Sequence, residues 1–300
     1  MDNKFNFSSK FRVANIFSLI LFVASVLFIL LKGLNYGIDF KGGTLIELRA
    51  NNTGASEIRS VLNNMTLGDV NVKKFGQEGD YLIKVEQKEN DTNNIILKIK
   101  KNLSDNLNTE INFRRVENVG PKVSSELLQS GIIAISLSLT AMLFYIWIRF
   151  EWQFSIGSII ALFHDVVITL GVFSVLSLEI NLSIIAAALT IVGYSMNDTV
   201  VIYDRIRENL NKYNRLNISE IADLSINDTL ARTIITSATT LLALLSIFIL
   251  GGEILRGFSF AMILGVVIGT YSSIFVASPM LKFFKVTYKT LEKEEEKIVP

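Results

Sequence analysis

The sequence has no cysteine and only one histidine among its 300 residues. The missing thiol excludes disulfide bonds, thiol catalysis and cysteine-ligated metal sites, and one histidine cannot form a histidine-rich metal site. A formal net charge of +1 leaves no excess of either sign, so nucleic acid is not expected as a partner. No glycine-rich phosphate loop with a lysine occurs, and ATP hydrolysis is therefore not expected.

What the sequence has in abundance is long apolar runs. Half of its residues are hydrophobic and the mean hydropathy is +0.43, which soluble domains rarely reach. Six runs are long enough for the roughly 20 residues of helix that span a bilayer. They lie near residues 13–31, 131–148, 154–176, 182–202, 233–250 and 258–280. The sequence therefore predicts a polytopic α-helical membrane protein with six transmembrane helices.

Lysine and arginine are concentrated on one side of this predicted bundle, which fixes its orientation. They lie ahead of the first run, at Arg149, in the loop 203–232 and near the C-terminus. We therefore predict that both termini are cytoplasmic and that the loop contains a helix on the membrane surface. The predicted segments are 1–35 (N-terminus and helix 1), 36–129 (outer domain), 130–281 (helices 2–6) and 282–300 (cytoplasmic tail).

The outer segment is predicted to be one small α/β domain. Alternating or periodic apolar residues predict strands at 44–50, 70–75, 81–86 and 111–116, and helices at 56–64 and 91–107. The order β-α-β-β-α-β is that of the ferredoxin-like split βαβ unit. The segment shows no catalytic constellation, so the protein is not expected to be an enzyme.

The fourth predicted helix carries polar residues where a spanning helix is expected to be apolar. Tyr194, Asn197 and Asp198 share an arc of roughly 140° with Gly193 on a helical wheel. A carboxylate at this depth is costly unless it is paired or lines a wet cavity, so it marks a functional site. We predict that this face points into the bundle and that Asp198 binds a coupling ion. The opposite face holds Met196, Thr199 and Tyr203.

Arg232, at the start of the fifth predicted helix, is the expected charge partner of Asp198. It heads an arc of hydroxyl-bearing residues that comprises Thr233, Thr236, Thr239 and Thr240. Such a stripe could hold Asp198 ionised and release it when the geometry changes. The alternative is that Arg232 extends to the cytoplasmic interface while Asp198 forms a static interhelical hydrogen bond.

The third predicted helix contains a second carboxylate at depth, Asp165, next to the single histidine, His164. Histidine titrates near neutral pH, so both residues are candidates for an ion relay. Adjacent helical residues point about 100° apart, and we do not expect the two side chains to face one small site. The alternative is a histidine that is simply satisfied within the core.

Two glycine-containing stretches flank the outer domain. Their density of glycine favours tight turns and close backbone approach, so they are predicted as structural joints between domain and helices. The joint residues are Gly37, Asp39, Gly42, Gly43, Gly120 and Pro121.

The motifs GIDFKGGT, FHD, GYSMNDTVVIYDRIREN and RTIITSATTLL resemble those of the SecD/SecF family of protein-export membrane proteins, in the resistance-nodulation-division superfamily. The resemblance covers essentially the whole chain. It implies a six-helix subunit of the bacterial inner membrane that pairs with a second six-helix subunit, SecD, and associates with the SecYEG channel and YajC. It also implies use of the proton-motive force, or of sodium in some members, to assist late translocation of a polypeptide. The family's ion-path aspartate and arginine match Asp198 and Arg232.

The coupling ion is thus expected to be H⁺ or Na⁺, with no cofactor, and membrane lipid is expected around the helices. Two other functions remain open. A small-molecule exporter of the same superfamily would need a substrate cleft in the outer domain, for which residues 36–129 show no aromatic-rich pattern. A non-transporting assembly factor of the Sec channel would tolerate neutral residues in place of Asp198 and Arg232.

Overall fold

A computed structural model of the chain describes residues 5–51, 53–65, 70–74, 76–85, 92–107 and 109–295. The helices are α1 Phe11–Lys32, α2 Ile38–Lys41, α3 Ala55–Asn63, α4 Thr92–Asn106, α5 Pro121–Arg149, α6 Trp152–Leu176, α7 Leu182–Lys212, α8 Ile218–Leu250, α9 Gly252–Ser272, α10 Ser278–Phe283 and α11 Tyr288–Glu295. The strands are β1 Asn35–Tyr36, β2 Gly43–Ala50, β3 Val70–Lys74, β4 Asp80–Val85, β5 Ile111–Val119 and β6 Glu179–Ile180.

Six helices among the described residues are long and apolar enough to cross a membrane, which confirms the six predicted spans. They are α1, α5, α6, α7, α8 and a last helix in which α9 continues into α10. A π-helical turn, Ser273–Ala277, joins these two parts. Single π-helical turns within α-helices are frequent at functional sites.

The predicted surface helix within residues 203–232 is not present, because α7 and α8 extend beyond the apolar runs and meet at residues 213–217. Polar contacts stabilise the two extensions against each other. Arg205 donates two hydrogen bonds to Asp228, and Asn209 donates to Ser225 at 2.9 Å. Hydropathy predicts where the apolar part of a helix ends. The helix itself extends further where its polar side chains form contacts.

The helix α5 likewise begins earlier than the apolar run that it contains. Gly120 precedes its first turn, and Pro121 occupies the first position, where its missing N–H costs no hydrogen bond. Residues 121–129, predicted as part of the outer domain, are therefore the first turns of α5.

The domain between α1 and α5 has the predicted ferredoxin-like architecture. Its four antiparallel strands lie in the order β3-β4-β2-β5. Fully buried apolar residues from the sheet and from both helices form its core, among them Ile46, Leu48, Ile58, Leu62, Ile83, Ile99 and Leu103. At one edge of this core the Asp80 carboxylate pairs with Arg49 at 2.7 Å and Arg114 at 3.0 Å. The hydrogen bond from Arg49 lowers the pKa of Asp80.

Small residues bring the central helices of the bundle into close contact. A Cβ at Gly265 would lie 2.2 Å from Ile191 Cγ1, and one at Gly269 would lie 2.9 Å from Ser195 Cβ. A Cβ at Gly171 on α6 would lie 2.3 Å from the Cβ of Ser25 on α1. The GxxxG pair of α9 therefore packs on α7 of the same chain, which aligns the polar side chains of the two helices.

Candidate functional site

Asp165 is fully buried at the meeting point of α6, α7 and α9. Its Oδ2 accepts hydrogen bonds from the hydroxyl of Ser195 at 2.6 Å and from that of Ser272 at 2.7 Å. Its Oδ1 lies 2.9 Å from Nδ1 of His164. Three polar partners from three helices therefore satisfy this carboxylate, and we call Asp165 with these partners the aspartate hub.

His164 belongs to this hub, so the expectation that adjacent residues would not face one site is wrong. The Cα–Cβ bonds of the two residues point in different directions, but the side-chain torsion angles bring the imidazole and the carboxylate together. The ring stacks against Phe22 of α1 with an interplanar angle of 7°. Its Nε2 is buried and has no hydrogen-bond partner among the described residues.

A row of hydroxyls continues from the hub along the contact between α7 and the last helix. The hydroxyls of Thr199 and Ser273 lie 2.9 Å apart, and the hydroxyl of Tyr203 donates to the carbonyl of Ala277 at 2.9 Å. Ser273 and Ala277 are the two ends of the π-helical turn. The helical wheel missed these residues, because it placed Thr199 and Tyr203 on the face opposite the predicted site. The spacing of Ser195, Thr199 and Tyr203, four residues apart each time, is the signal that could have revealed them.

Asp198 differs from Asp165 in its surroundings. Its residue is only 3% exposed, yet its Oδ2 has no hydrogen-bond partner among the described residues. Thr270 on α9 and Arg232 on α8 are near enough to this carboxylate to favour its charged form. Thr270 itself is engaged with Ser237 of α8 at 2.8 Å and with the carbonyl of Val266.

Arg232 lies on the exposed side of α8, and no close ion pair with Asp198 is present in the part of the chain that the structure describes. The predicted direct pairing is therefore not formed in this conformation, because Asp198 points towards α9. The neighbouring Thr233 is buried, and the hydroxyl of Thr236 donates to the carbonyls of Arg232 and Thr233 within its own helix.

The predicted polar arc of α7 is divided between two environments. Asn197 is exposed, Tyr194 is half-buried, and nothing lies within 4 Å of a Cβ built at Gly193. The hydroxyl of Tyr194 is buried without a partner among the described residues. The expectation that this whole face points into the bundle is wrong for Asn197, since the bundle packs against Ser195 and Thr199 instead.

The first glycine-rich joint lies against the loop between α6 and α7. Gly37 N–H donates to the carbonyl of Ile180 at 2.9 Å, and Asp39 Oδ2 accepts from the N–H of Leu182 at 2.9 Å. Gly42 and Gly43 adopt φ values of 79° and 136°, which residues with a Cβ rarely adopt. The glycines are therefore required by the backbone at the point where the chain enters β2.

These features define a polytopic membrane protein with ionisable groups inside its bundle and a ferredoxin-like domain at one end. The described residues contain no group of three or more histidine, aspartate or glutamate side chains that could hold a metal ion.

Comparisons with known proteins give the family. Residues 99–287 match the family described as protein export membrane protein SecD/SecF, C-terminal, and residues 27–53 match the SecD/SecF GG motif. The chain is 46% identical over 295 residues to protein translocase subunit SecF of Rickettsia rickettsii, which covers 96% of both chains. It is also 46% identical over 283 residues to the subunit of the same name from Rickettsia bellii, with 93% of both chains covered.

Two solved structures share the fold. SecDF, a translocon-associated membrane protein from Thermus thermophilus, matches with a TM-score of 0.86 and 36% identity over 95% of this chain. SecDF in a super-membrane-facing form matches with a TM-score of 0.71 and 35% identity over 99% of this chain. The chain spans 39% and 40% of the length of these two SecDF chains. It belongs to the SecD/SecF family of protein-export membrane proteins, and within that family it matches the SecF subunits of the translocase.

Proposed function

We propose that this chain pairs with SecD and uses the proton-motive force, or a sodium gradient, to assist late steps of polypeptide translocation through the Sec channel. The curated relatives are translocase subunits, and one of the SecDF matches is described as translocon-associated. The observation that carries the proposal is the buried Asp198 carboxylate with an oxygen that lacks a hydrogen-bond donor among the described residues.

The energetics of Asp198 suit an ion-exchange step. A buried carboxylate without full compensation is unfavourable, so binding of H⁺ or Na⁺ from the side of high electrochemical potential relieves that cost. Release requires a competing positive charge, and Arg232 on the neighbouring helix supplies it when α7 and α8 move closer. One charge crossing 100 mV provides about 2.3 kcal/mol, so a few ions can drive a conformational cycle.

The exposed surface beside Asp198 fits a partner subunit. Asn197 and Arg232 are exposed and Gly193 and Tyr194 are half-buried on this face of α7 and α8, and nothing lies within 4 Å of a Cβ built at Gly193. We propose that SecD covers this face, while lipid surrounds the apolar outer sides of α1 and α5. The distribution of lysine and arginine supports cytoplasmic termini and an outer position for the domain. SecYEG and YajC are proposed as further partners from the family resemblance.

We assign ion exchange to Asp198 rather than to the hub. Asp165 has three hydrogen-bonding partners, whereas Asp198 has an oxygen with none among the described residues. His164 and Asp165 then hold the three central helices in register while Asp198 changes its state.

The test replaces Asp198 with asparagine in cells that lack the native copy. We expect the protein to be present in the membrane at the parent level, with gradient-driven protein export and ion flux both lost. Asp204→Asn is the matched control, because Asp204 lies on the same helix but is exposed and paired with Arg149 at 2.9 Å. Normal export in the Asp198→Asn strain would refute the ion-coupling role and favour a scaffold that assembles the channel.

A further inference from the structure

The domain is connected to the bundle covalently and non-covalently, and the non-covalent contacts reach a further helix. The chain enters the domain from α1 and leaves it into α5, neither of which carries Asp198. Besides the packing of α2 on α5, non-covalent contacts lead to the loop between α6 and α7. There β1 pairs in parallel with β6, with Asn35 opposite Glu179 and Tyr36 opposite Ile180.

The first of these contacts ends directly on α7. The Asp39 carboxylate accepts a hydrogen bond from the N–H of Leu182, the first residue of that helix. A carboxylate at a helix N-terminus satisfies a free N–H and interacts favourably with the helix dipole. The same α7 carries Asp198 further along its length, so the joint and the ion-exchange residue share one rigid element.

The second contact comes from the domain sheet itself. Lys84 of β4 forms an ion pair with Glu179 of β6, and both side chains are largely buried, with 16% and 30% exposure. Burial and the nearby Lys73 lower the pKa of Lys84 to about 8, against the opposing charge of Asp39. Asp39, Lys84 and Glu179 therefore form one charged cluster between the sheet and the start of α7.

We propose that Asp39, Lys84 and Glu179 act as a permanent clamp that makes the domain follow the end of α7. The inference rests on the proposed function, because it takes ion exchange at Asp198 as the source of the movement. On the entry side of the domain the chain passes through Gly42 and Gly43, both with positive φ. The clamp thus adds α7 to α1 and α5 as a helix whose displacement reaches the domain.

Charge reversal tests the clamp in the assembled complex. Lys84→Glu places two carboxylates against each other, and we expect gradient-driven translocation to fall about fivefold or more while ion flux stays at the parent level. The double variant Lys84→Glu/Glu179→Lys is expected to restore translocation. Arg115→Glu is the matched control, since Arg115 pairs with Glu117 and Glu47 entirely within the domain.

The two measurements separate this inference from the proposed function. Unchanged translocation in Lys84→Glu, or an equal loss of flux and translocation, would overturn the clamp. Loss of flux in Asp198→Asn is judged independently of either result. Hydrogen exchange in the core strands of the domain should match the parent in all variants, and faster exchange in Lys84→Glu would show a merely structural role and overturn the proposal.

A covalent crosslink tests whether residues 84 and 179 stay in contact throughout the transport cycle. The chain has no native cysteine, so Lys84→Cys/Glu179→Cys can be joined selectively by a short, reducible bifunctional thiol reagent. We expect the unlinked variant to be uncoupled, linking to restore translocation, and reduction to abolish it again. A linked protein that is less active than the unlinked one would mean that the contact must open, which contradicts a permanent clamp. Glu47→Cys/Arg115→Cys is the control for the reagent.

Discussion

Two carboxylates are buried in the same bundle, and their partners differ. Asp165 accepts two serine hydroxyls and faces an imidazole, whereas Asp198 has an oxygen without a donor among the described residues. Burial alone does not distinguish the two residues, because both are at most 3% exposed. The number of hydrogen-bond donors distinguishes the carboxylate that joins three helices, Asp165, from the one that we propose takes up an ion, Asp198.

The two residues also differ in their position relative to the surface of the bundle. Asp165 lies where α6, α7 and α9 all pack, and partners from these three helices surround its oxygens. Asp198 lies one helical step from the exposed Asn197, next to a face that a partner can cover. Ion exchange requires access to the carboxylate and an oxygen that is not already hydrogen-bonded. Of these two residues Asp198 combines both, which supports its proposed role.

The largest expected effect is the loss of the aspartate hub. Asp165→Ala leaves the hydroxyls of Ser195 and Ser272 without their acceptor, and we expect it to lower the free energy of unfolding by about 3 kcal/mol. Denaturant unfolding of the purified full chain in detergent measures this value. Asp204→Ala is the control, with an expected change of about 0–1 kcal/mol for an exposed ion pair. Equal stability of the two variants would remove the distinction between the carboxylates.

A smaller effect is expected where α9 approaches the hub. Gly269→Ala places a methyl group against Ser195 and should cost about 2 kcal/mol, because the helices must separate to accommodate it. The matched change on the open face is Gly193→Ala, which meets nothing within 4 Å. That variant should be neutral or stabilise by up to about 1 kcal/mol through helix propensity. The same unfolding measurement applies, and a reversed order would show that the faces are assigned wrongly.

Asp198→Asn should change stability much less than Asp165→Ala. We expect a shift within about 1 kcal/mol, since the substitution removes an incompletely compensated charge. Export and ion flux are expected to be lost in the same variant. A loss of stability as large as that of Asp165→Ala would show that Asp198 is a second structural hub.

Asp80 is a carboxylate of the outer domain that is paired with two arginines. Its contribution to stability can be tested by changing the pH of the solution. Its pKa in the folded state lies below the unfolded value of about 3.9, chiefly because of the hydrogen bond from Arg49. Its contribution to stability is therefore fully present above about pH 4 and is lost as the pH falls through the folded pKa. Unfolding of the full chain measured from pH 6 to pH 3 should show this loss, and Asp80→Asn should reduce it. An unchanged slope in the variant would contradict this role.

The sequence predicted the architecture well, because spans and strands depend on local patterns of hydropathy. The six apolar runs and the β-α-β-β-α-β order were sufficient for the bundle and the domain. The site was predicted less completely, because α7 is polar on two faces. A helical wheel shows that Ser195 and Asn197 point in different directions, but only packing shows that Ser195 is the buried one.

The contacts within the site could not be predicted for a similar reason. The hydrogen bonds of Asp165 join residues from helices far apart in the sequence, and the pairing of His164 with its neighbour depends on side-chain rotation. Helix ends were also missed, since Arg205 and Asp228 stabilise extensions that hydropathy assigns to a loop.

The aspartate hub has a consequence for the order in which the chain is made. Ser272 follows Asp165 by 107 residues, so a nascent chain inserts its third helix long before that donor is synthesised. During this interval Asp165 lacks the hydrogen bond that the last helix supplies. The hub closes when the last helix arrives, and its closure therefore marks the completion of membrane integration.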